Sequence, residues 1–342
     1  MLNAKRIDTI DFLRGIAVII MIFANSSPYL FDLKSFFTIR FLFSIAAPIF
    51  IFIAGFTSQM NFERGSPISY YRILQILTMA VVIDIVIWRS VPFYTFDVLY
   101  LIGISKLILK FLNKVNKPKY ILLFLCLIIG LSIFITMNFS YRYEISDILL
   151  NDFFYNYKIH DHSNPLMRLL YDGWFPLLPW TIIAIIGSLS YKLLGKIQMK
   201  YSIYLIVTGV LLLAILHFKL YTIQFPVREK YLEIFYPLTS SILIIPVAVF
   251  FIVLGIIKWK PSLNIGFINL LGRYSLFAYV INALIDSILE RNDFQNSTTI
   301  LKLILLFLSF FILIVLVQFI DKLKFKPAWQ KIPKGVKFIM GF

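Results

Sequence analysis

The sequence predicts an all-α polytopic membrane protein, a bundle of about ten transmembrane helices with both termini in the cytoplasm. Three observations predict this class. Of the 342 residues, 60% are hydrophobic and only 15% are charged, whereas a soluble domain is about half apolar and about a quarter charged. The apolar residues fall in runs of about 18 or more, the length at which a helix crosses a bilayer. The basic residues lie mostly in the loops between those runs.

Ten apolar runs account for the predicted helices. They lie at about 10–29, 38–58, 73–93, 96–113, 120–138, 173–191, 202–218, 237–257, 267–289 and 299–320. The first run is longer than the apolar part of a signal peptide and has no small-residue cleavage site, so we expect it to remain as a helix. An even number of spans puts both ends of the chain on the same side of the membrane.

The loop charges predict which side that is. The N-terminus, the loops after the even-numbered spans and the C-terminal tail hold about twice as many lysines and arginines as the opposite loops, which places both termini in the cytoplasm. The chain is interpreted as a single domain over 1–342. It includes a long extracytoplasmic loop at 139–172 and a basic cytoplasmic tail at 322–342, suited to an anionic inner leaflet.

Composition excludes several other classes of protein. The net charge of +16 can indicate nucleic-acid binding, but the basic residues are dispersed among loops, so the lipid bilayer is the predicted partner and nucleic acid is not. The single cysteine, Cys126, forms no intrachain disulfide. No metal site is predicted, since metal-ligand spacings are missing from the sequence. The low cysteine count and the lack of a targeting signal fit a prokaryotic plasma membrane.

The first apolar run carries a stripe of polar residues, in the stretch RIDTIDFLRGIAVIIMIFAN. Asp11 and Arg14 stand three apart on one helix face, where they can form an ion pair. Asn25 follows Arg14 by three turns, about 16 Å along a helix, and returns to the same face. Such a stripe suits a bundle interior or a wet cavity and indicates function. The plain alternatives are a helix-end ion pair and, for Asn25, a helix cap.

Other polar residues occur in or near the predicted spans. Asp84, in the middle of MAVVIDIVIW, should face the bundle and have a partner. Asp286, in INALIDSILE, lies near an outer helix end with Asn282 one turn before it, and a solvated residue is the alternative to a functional one. His160 and His162, one residue apart in the long loop, make a weak metal pair, and a solvated loop is the alternative.

Five stretches, in order, resemble segments of one family. IDFLRGIAVIIMIFAN resembles the signature LDxxRGxAxxxMxxxN of the heparan-alpha-glucosaminide N-acetyltransferase catalytic domain and its prokaryotic relatives. The other four are similar to that family's PxFxFxxG, VLxxxG, YPLLPWxxxxxxG and GxxSLxxYxxH segments. They are AAPIFIFIAGF (46–56), DVLYLIGIS (97–105), DGWFPLLPWTIIAIIG (172–187) and LGRYSLFAYVINALI (271–285). The resemblance covers most of the chain. The acyltransferase-3 type O-acyltransferases share the first motif more loosely.

The resemblance implies acyl transfer across a membrane. In that family acetyl-CoA binds from the cytoplasmic side, and the acetyl group passes to an acceptor on the far side, usually an amino or hydroxyl sugar. The family's Asp and Arg fall on Asp11 and Arg14, and its functional Asn falls on Asn25, whose amide can donate to a developing oxyanion. Arg14 and Arg273 then hold CoA phosphates at cytoplasmic ends. For Arg273, an ordinary basic residue on the cytoplasmic side is the alternative.

Histidine is missing at the positions where the resembling families have it. Phe36 stands where the lysosomal enzyme has its catalytic histidine, Asn25 where the acyltransferase-3 type has one, and Asn282 where the fifth motif usually ends in one. A base is needed, because a sugar hydroxyl or ammonium is a poor nucleophile until its proton leaves. We expect the base to come from the long loop or from the carboxylate just before PLLPW: His160, His162 or Asp172. A solvated residue at a helix start is the alternative for Asp172, and a different chemistry is also open.

The sequence therefore predicts a transmembrane acyltransferase with acyl-CoA as donor, an extracytoplasmic saccharide as acceptor and the bilayer around it. A homodimer is compatible with the sequence. Two other classes stay open. A small-solute transporter would line its path with Asp11, Arg14 and Asp84, although no inverted repeat is visible. A non-catalytic member of the acyltransferase family would explain the missing histidines.

Overall fold

Helices form the regular structure of the chain in the computed structural model. The structure describes residues 7–31, 36–94, 96–115, 118–138, 165–222, 244–292, 294–324 and 337. No β-strand is assigned within these ranges. The predicted all-α class is confirmed.

The described ranges contain twelve helices of seven residues or more. They are α1 (Asp8–Ser26), α2 (Phe37–Phe43), α3 (Ala46–Glu63), α4 (Tyr70–Val82), α5 (Val98–Val115), α6 (Pro118–Asn138), α7 (Leu177–Leu194), α8 (Ser202–Thr222), α9 (Ile244–Trp259), α10 (Gly266–Arg273), α11 (Ser275–Arg291) and α12 (Thr299–Leu323). Helix α4 continues as a π-helical turn, Ile83–Trp88, and a shorter π-helical turn, Arg168–Asp172, precedes α7.

Each of the ten predicted runs contains helix, but fewer helices are long and apolar enough to cross a membrane. Among the described residues six segments meet that requirement, and seven if the bent pair α10–α11 forms one span. Helices α6 and α9 are apolar over a shorter length, and α5 carries Lys106, Lys110 and Lys114. The protein is thus a helical membrane protein, while ten spans with both termini in the cytoplasm stay a prediction.

The chain divides into two compact units. The first comprises Met1–Ile49, Lys230–Ile234 and Lys260–Phe342, and the second comprises Phe50–Glu229 and Phe235–Trp259. Of the predicted loop at 139–172, residues 139–164 lie outside the described part of the chain, as does most of the tail at 322–342. The single domain over 1–342 stays a prediction.

In the first unit, α1 packs along α10 and α11 and also touches α12. The approach of α1 to α10 is close because a glycine lies on each side of it. A Cβ at Gly15 would overlap the carbonyl oxygen of Ile268, and a Cβ at Gly272 would overlap the carbonyl oxygen of Asp11. Small residues at helix contacts are common in membranes, since they let two backbones approach.

The chain bends by 85° between α10 and α11. Tyr274 occupies the bend and is completely buried. Its hydroxyl donates to Asp321 Oδ1 on α12 at 2.6 Å. This bond ties the bend to the last long helix of the same unit.

In the second unit, α3 and α7 meet in the same way as α1 and α10. A Cβ at Gly55 would overlap the carbonyl oxygen of Ala184, and a Cβ at Gly187 would overlap that of Phe52. One turn further along, α3 and α7 also share a buried side-chain hydrogen bond. Helices α8 and α9 make the most extensive pair in this unit.

Candidate functional site

The ion pair predicted near the start of α1 is present. Arg14 Nη1 donates to Asp11 Oδ1 at 3.4 Å. The Asp11 side chain is 4% exposed, whereas that of Arg14 is 22% exposed. A guanidinium carries five N–H donors, so this exposure leaves Arg14 accessible to an anionic ligand while Asp11 holds its orientation.

Arg273 lies where α10 crosses α1. It directly follows Gly272, which touches the backbone of Asp11 and of Gly15. Arg273 Nε is buried and has no hydrogen-bond partner within the ranges that the structure describes. One helix crossing therefore brings the backbones of all three residues predicted to bind the cofactor into one place: Asp11, Arg14 and Arg273.

The segment that leads into α10 is bonded to the first turn of α1. Thr9 Oγ1 accepts from the backbone N of Leu263 at 3.0 Å. Asn269 Nδ2, on α10, donates to the carbonyl oxygen of Asp8 at 2.8 Å. These bonds hold the chain at 260–265 beside the start of α1, and so keep the crossing that carries the ion pair in place.

Asn25 lies at the opposite end of α1 and is half-buried. The next residue, Ser26, belongs to a buried polar group. Ser26 Oγ donates to Asp286 Oδ1 at 2.6 Å, and Asn282 Nδ2 donates to Asp286 Oδ2. We refer to Ser26, Asn282 and Asp286 as the Asp286 cluster. Each of its members has no more than 1% of its surface exposed.

Sequence reasoning missed the Asp286 cluster. The alternative of a solvated residue is wrong for Asp286, because the packing of α11 against α1 buries it. The available signal was the spacing of Asn282 and Asp286, since residues four apart share one helix face. Ser26 gave no signal, because a serine at a helix end reads as a cap.

Asp84 has the partner that its position in a predicted span requires. Tyr100 Oη, on α5, donates to Asp84 Oδ2 at 2.6 Å, and both residues are buried. The ring of Phe96 stacks on that of Tyr100 at a centroid distance of 5.5 Å. This pair belongs to the second unit and joins α5 to the π-helical turn that follows α4.

Asp172 is buried, with 2% of its surface exposed, and so is Arg168 four residues before it. The alternative of a solvated residue at a helix start is therefore excluded for Asp172. The backbone N of Phe175 donates to the carbonyl oxygen of Phe96 at 3.0 Å, which holds this segment beside the start of α5. The role of Asp172 as a base or acceptor contact stays a prediction.

The remaining predicted positions supply no base within the described residues. His160 and His162 lie outside the described residues. Phe36, at the position of the missing histidine, directly precedes α2 and is 53% exposed. Within the described ranges, no three His, Cys, Asp or Glu side chains are grouped as metal ligands would be.

Comparison with known proteins identifies one family. A family model described as "Heparan-alpha-glucosaminide N-acetyltransferase, catalytic" matches residues 6–216. The match includes the first four of the five motif stretches, and the fifth, at 271–285, lies beyond it. No curated protein and no solved structure matches the chain.

Proposed function

Because the chain belongs to the heparan-alpha-glucosaminide N-acetyltransferase catalytic-domain family, we propose that it transfers an acetyl group from acetyl-CoA to an amino or hydroxyl group of a sugar. The family supports the reaction class, acetyl transfer by a membrane protein. The observation that carries the assignment to this chain is α1, which has an accessible ion pair at one end and a polar cluster at the other.

The donor would bind at the Arg14 end of α1. CoA carries several phosphate groups, and guanidinium groups pair with phosphate through two parallel N–H bonds. Arg14 is partly exposed and is oriented by Asp11. Arg273, at the crossing of α1 and α10, supplies the second guanidinium. We propose that this end faces the cytoplasm, where acetyl-CoA is made.

The acetyl group would react at the Asn25 end. The distance from Arg14 along the helix is about 16 Å, which the extended pantetheine arm of CoA would have to cover. The acceptor's nitrogen or oxygen attacks the thioester carbonyl, the Asn25 amide donates to the oxyanion, and the carbon–sulfur bond breaks as CoA leaves as the thiolate. The acceptor's proton passes to a base, for which we propose His160, His162 or Asp172.

These assignments set a direction for the reaction. We propose that the protein is embedded in a prokaryotic plasma membrane with both termini in the cytoplasm, and that the saccharide lies outside the cell. The basic tail at 322–342 would then rest on the inner leaflet, where anionic lipids attract lysine and arginine.

The test is a binding and turnover assay on purified protein in detergent. We expect acetyl-CoA to raise the melting temperature, because a ligand that binds only the folded state stabilises it. With glucosamine as the acceptor probe, we expect release of CoA thiol and formation of the acetylated sugar. A melting temperature that no acyl-CoA raises would overturn the proposal. Acetyl-CoA binding without turnover on any acceptor would instead indicate a non-catalytic member, for which Phe36 at the histidine position is the motivating observation.

A further inference from the structure

The hydrogen bonds of the Asp286 cluster determine how the side-chain amide of Asn282 is oriented. Both side-chain oxygens of Asp286 serve as hydrogen-bond acceptors in the structure. Ser26 donates its hydroxyl to one oxygen of Asp286 and Asn282 donates its amide NH₂ to the other. With its nitrogen held by Asp286, the side-chain amide of Asn282 presents its oxygen away from the carboxylate.

That oxygen is unused within the protein. Asn282 Oδ1 is buried and has no hydrogen-bond partner among the described residues. A buried acceptor without a donor is costly, and the great majority of buried polar side-chain atoms in proteins are bonded. A ligand that brings an N–H or O–H group to this oxygen would recover the lost bond.

The surroundings make such a bond stronger. Leu30, Leu289 and Leu306 form an apolar core in the same unit, and Ile285, which directly precedes Asp286, packs against it. A hydrogen bond in a low-dielectric environment is stronger than one in water. Asn25, the residue proposed to bind the oxyanion, directly precedes Ser26. The unused oxygen of Asn282 thus lies in the cluster at the end of α1 where the acetyl group would react.

We propose that Asn282 Oδ1 is the subsite that binds the nucleophilic group of the acceptor, an amine N–H or a hydroxyl O–H. Asp286 is a positioning residue, which orients the Asn282 amide, and Ser26 holds Asp286. The identity of the acceptor as a saccharide rests on the proposed function, whereas the preference of the subsite for a hydrogen-bond donor rests only on the Asp286 cluster. The subsite binds a donor group and rejects a ligand that lacks one.

Binding of glucosamine and of glucose tests this inference, in the absence and presence of acetyl-CoA. We expect Asn282→Leu, which keeps a similar volume without either polar atom, to weaken binding of both sugars about tenfold or more. Asp286→Asn should do the same, because its new NH₂ group can donate to Asn282 Oδ1 and occupy it.

Asp321→Asn is the matched control. Asp321 also accepts a hydroxyl hydrogen bond at 2.6 Å, from Tyr274, in the same unit, but has no place in the proposed subsite. We expect this variant to bind both sugars as the wild type does. Ser26→Ala removes only a hydroxyl, and we expect it to weaken binding of both sugars several-fold. This variant tests the subsite if a larger substitution unfolds the protein.

Three results would overturn the inference: a wild type that binds neither sugar, an Asn282→Leu protein that binds both as the wild type does, or an Asp321→Asn protein that loses as much affinity as the cluster variants. Acetyl-CoA binding by the same samples separates this failure from that of the proposed function. A cluster variant that no longer binds the sugars but still binds acetyl-CoA supports the subsite. A wild type that binds a sugar but no acyl-CoA overturns the proposed function alone.

Discussion

Asp11 is buried while its partner Arg14 is partly exposed, and this asymmetry decides what a substitution of Arg14 does. We expect Arg14→Ala to weaken acetyl-CoA binding about tenfold or more, because it removes a guanidinium from phosphate. Arg14→Lys keeps the charge but loses the planar fork, so its affinity should lie between those of the wild type and the alanine variant. Isothermal titration with acetyl-CoA measures all three. An unchanged dissociation constant for Arg14→Ala would remove this residue from the donor site.

Asn25 is expected to act on the rate and not on donor binding. Loss of one oxyanion donor costs about 10² to 10³ in kcat, so Asn25→Ala should slow transfer by that factor while the affinity for acetyl-CoA is kept. Asn292→Ala is a matched control, since Asn292 is an exposed asparagine directly after α11 whose side chain donates to the carbonyl oxygen of Ile288, one turn before it. Equal rates in the two variants would contradict the role given to Asn25.

At the scale of residues, local spacing could be predicted and contacts between distant parts of the chain could not. Asp11 and Arg14 pair because they share one helix face, and Asp84 has a partner because an unpaired charge in a span is costly. Ser26 and Asp286 are 260 positions apart, so no pattern within one helix shows their bond. Asp286 therefore looked like an ordinary solvated residue at a helix end.

Helix crossings in this molecule depend on glycines that leave no room for a side chain. We expect Gly15→Ala to lower the stability by about 1–3 kcal/mol or more, because the added methyl group overlaps the backbone of α10 and the core must shift. Gly130→Ala is the control, since a Cβ at Gly130 meets no atom within 4 Å. There alanine should be neutral or stabilising by up to about 1 kcal/mol, because it favours a helix.

Thermal unfolding of the purified variants, followed by intrinsic fluorescence, measures both changes. Gly15→Ala and Gly130→Ala add the same atoms to helices of the same protein, so a difference between them reports the helix crossing. A Gly15→Ala protein as stable as Gly130→Ala would show that α1 and α10 do not approach as closely as the structure has them.

At the scale of elements, the positions of the helices followed from the apolar runs, but the breaks within two runs did not. The run at 38–58 contains both α2 and α3. Ser44 lies between them, and its hydroxyl donates to the carbonyl oxygen of Arg40 at 2.8 Å, a local bond that competes with regular helix. The run at 267–289 contains the 85° bend, where Tyr274 bonds to Asp321, 47 positions away, a contact that leaves no mark in the local pattern.

The whole molecule is expected to place both termini in the cytoplasm, and cysteine labelling in intact cells tests this. Cys126 is exposed on α6, so the experiment starts from Cys126→Ser. Asn3→Cys and Phe342→Cys should react with a membrane-impermeant maleimide only after the cells are permeabilised. Ser146→Cys, in the predicted extracytoplasmic loop, should react in intact cells.

Labelling of one terminus alone in intact cells would require an odd number of spans and would contradict the even number predicted. Labelling of both termini, with Ser146→Cys protected, would invert the orientation and move the proposed donor site to the outside.

The close glycine contacts also bear on how such proteins are grouped. Each of the five stretches that resemble the family contains a glycine whose Cβ would collide with a neighbouring part of the chain: Gly15, Gly55, Gly103, Gly187 and Gly272. In this chain the five stretches therefore mark places where parts of the chain pack closely. We therefore expect proteins that share these stretches to share an architecture, and we propose that the residue types at 36 and 282 bear on their chemistry.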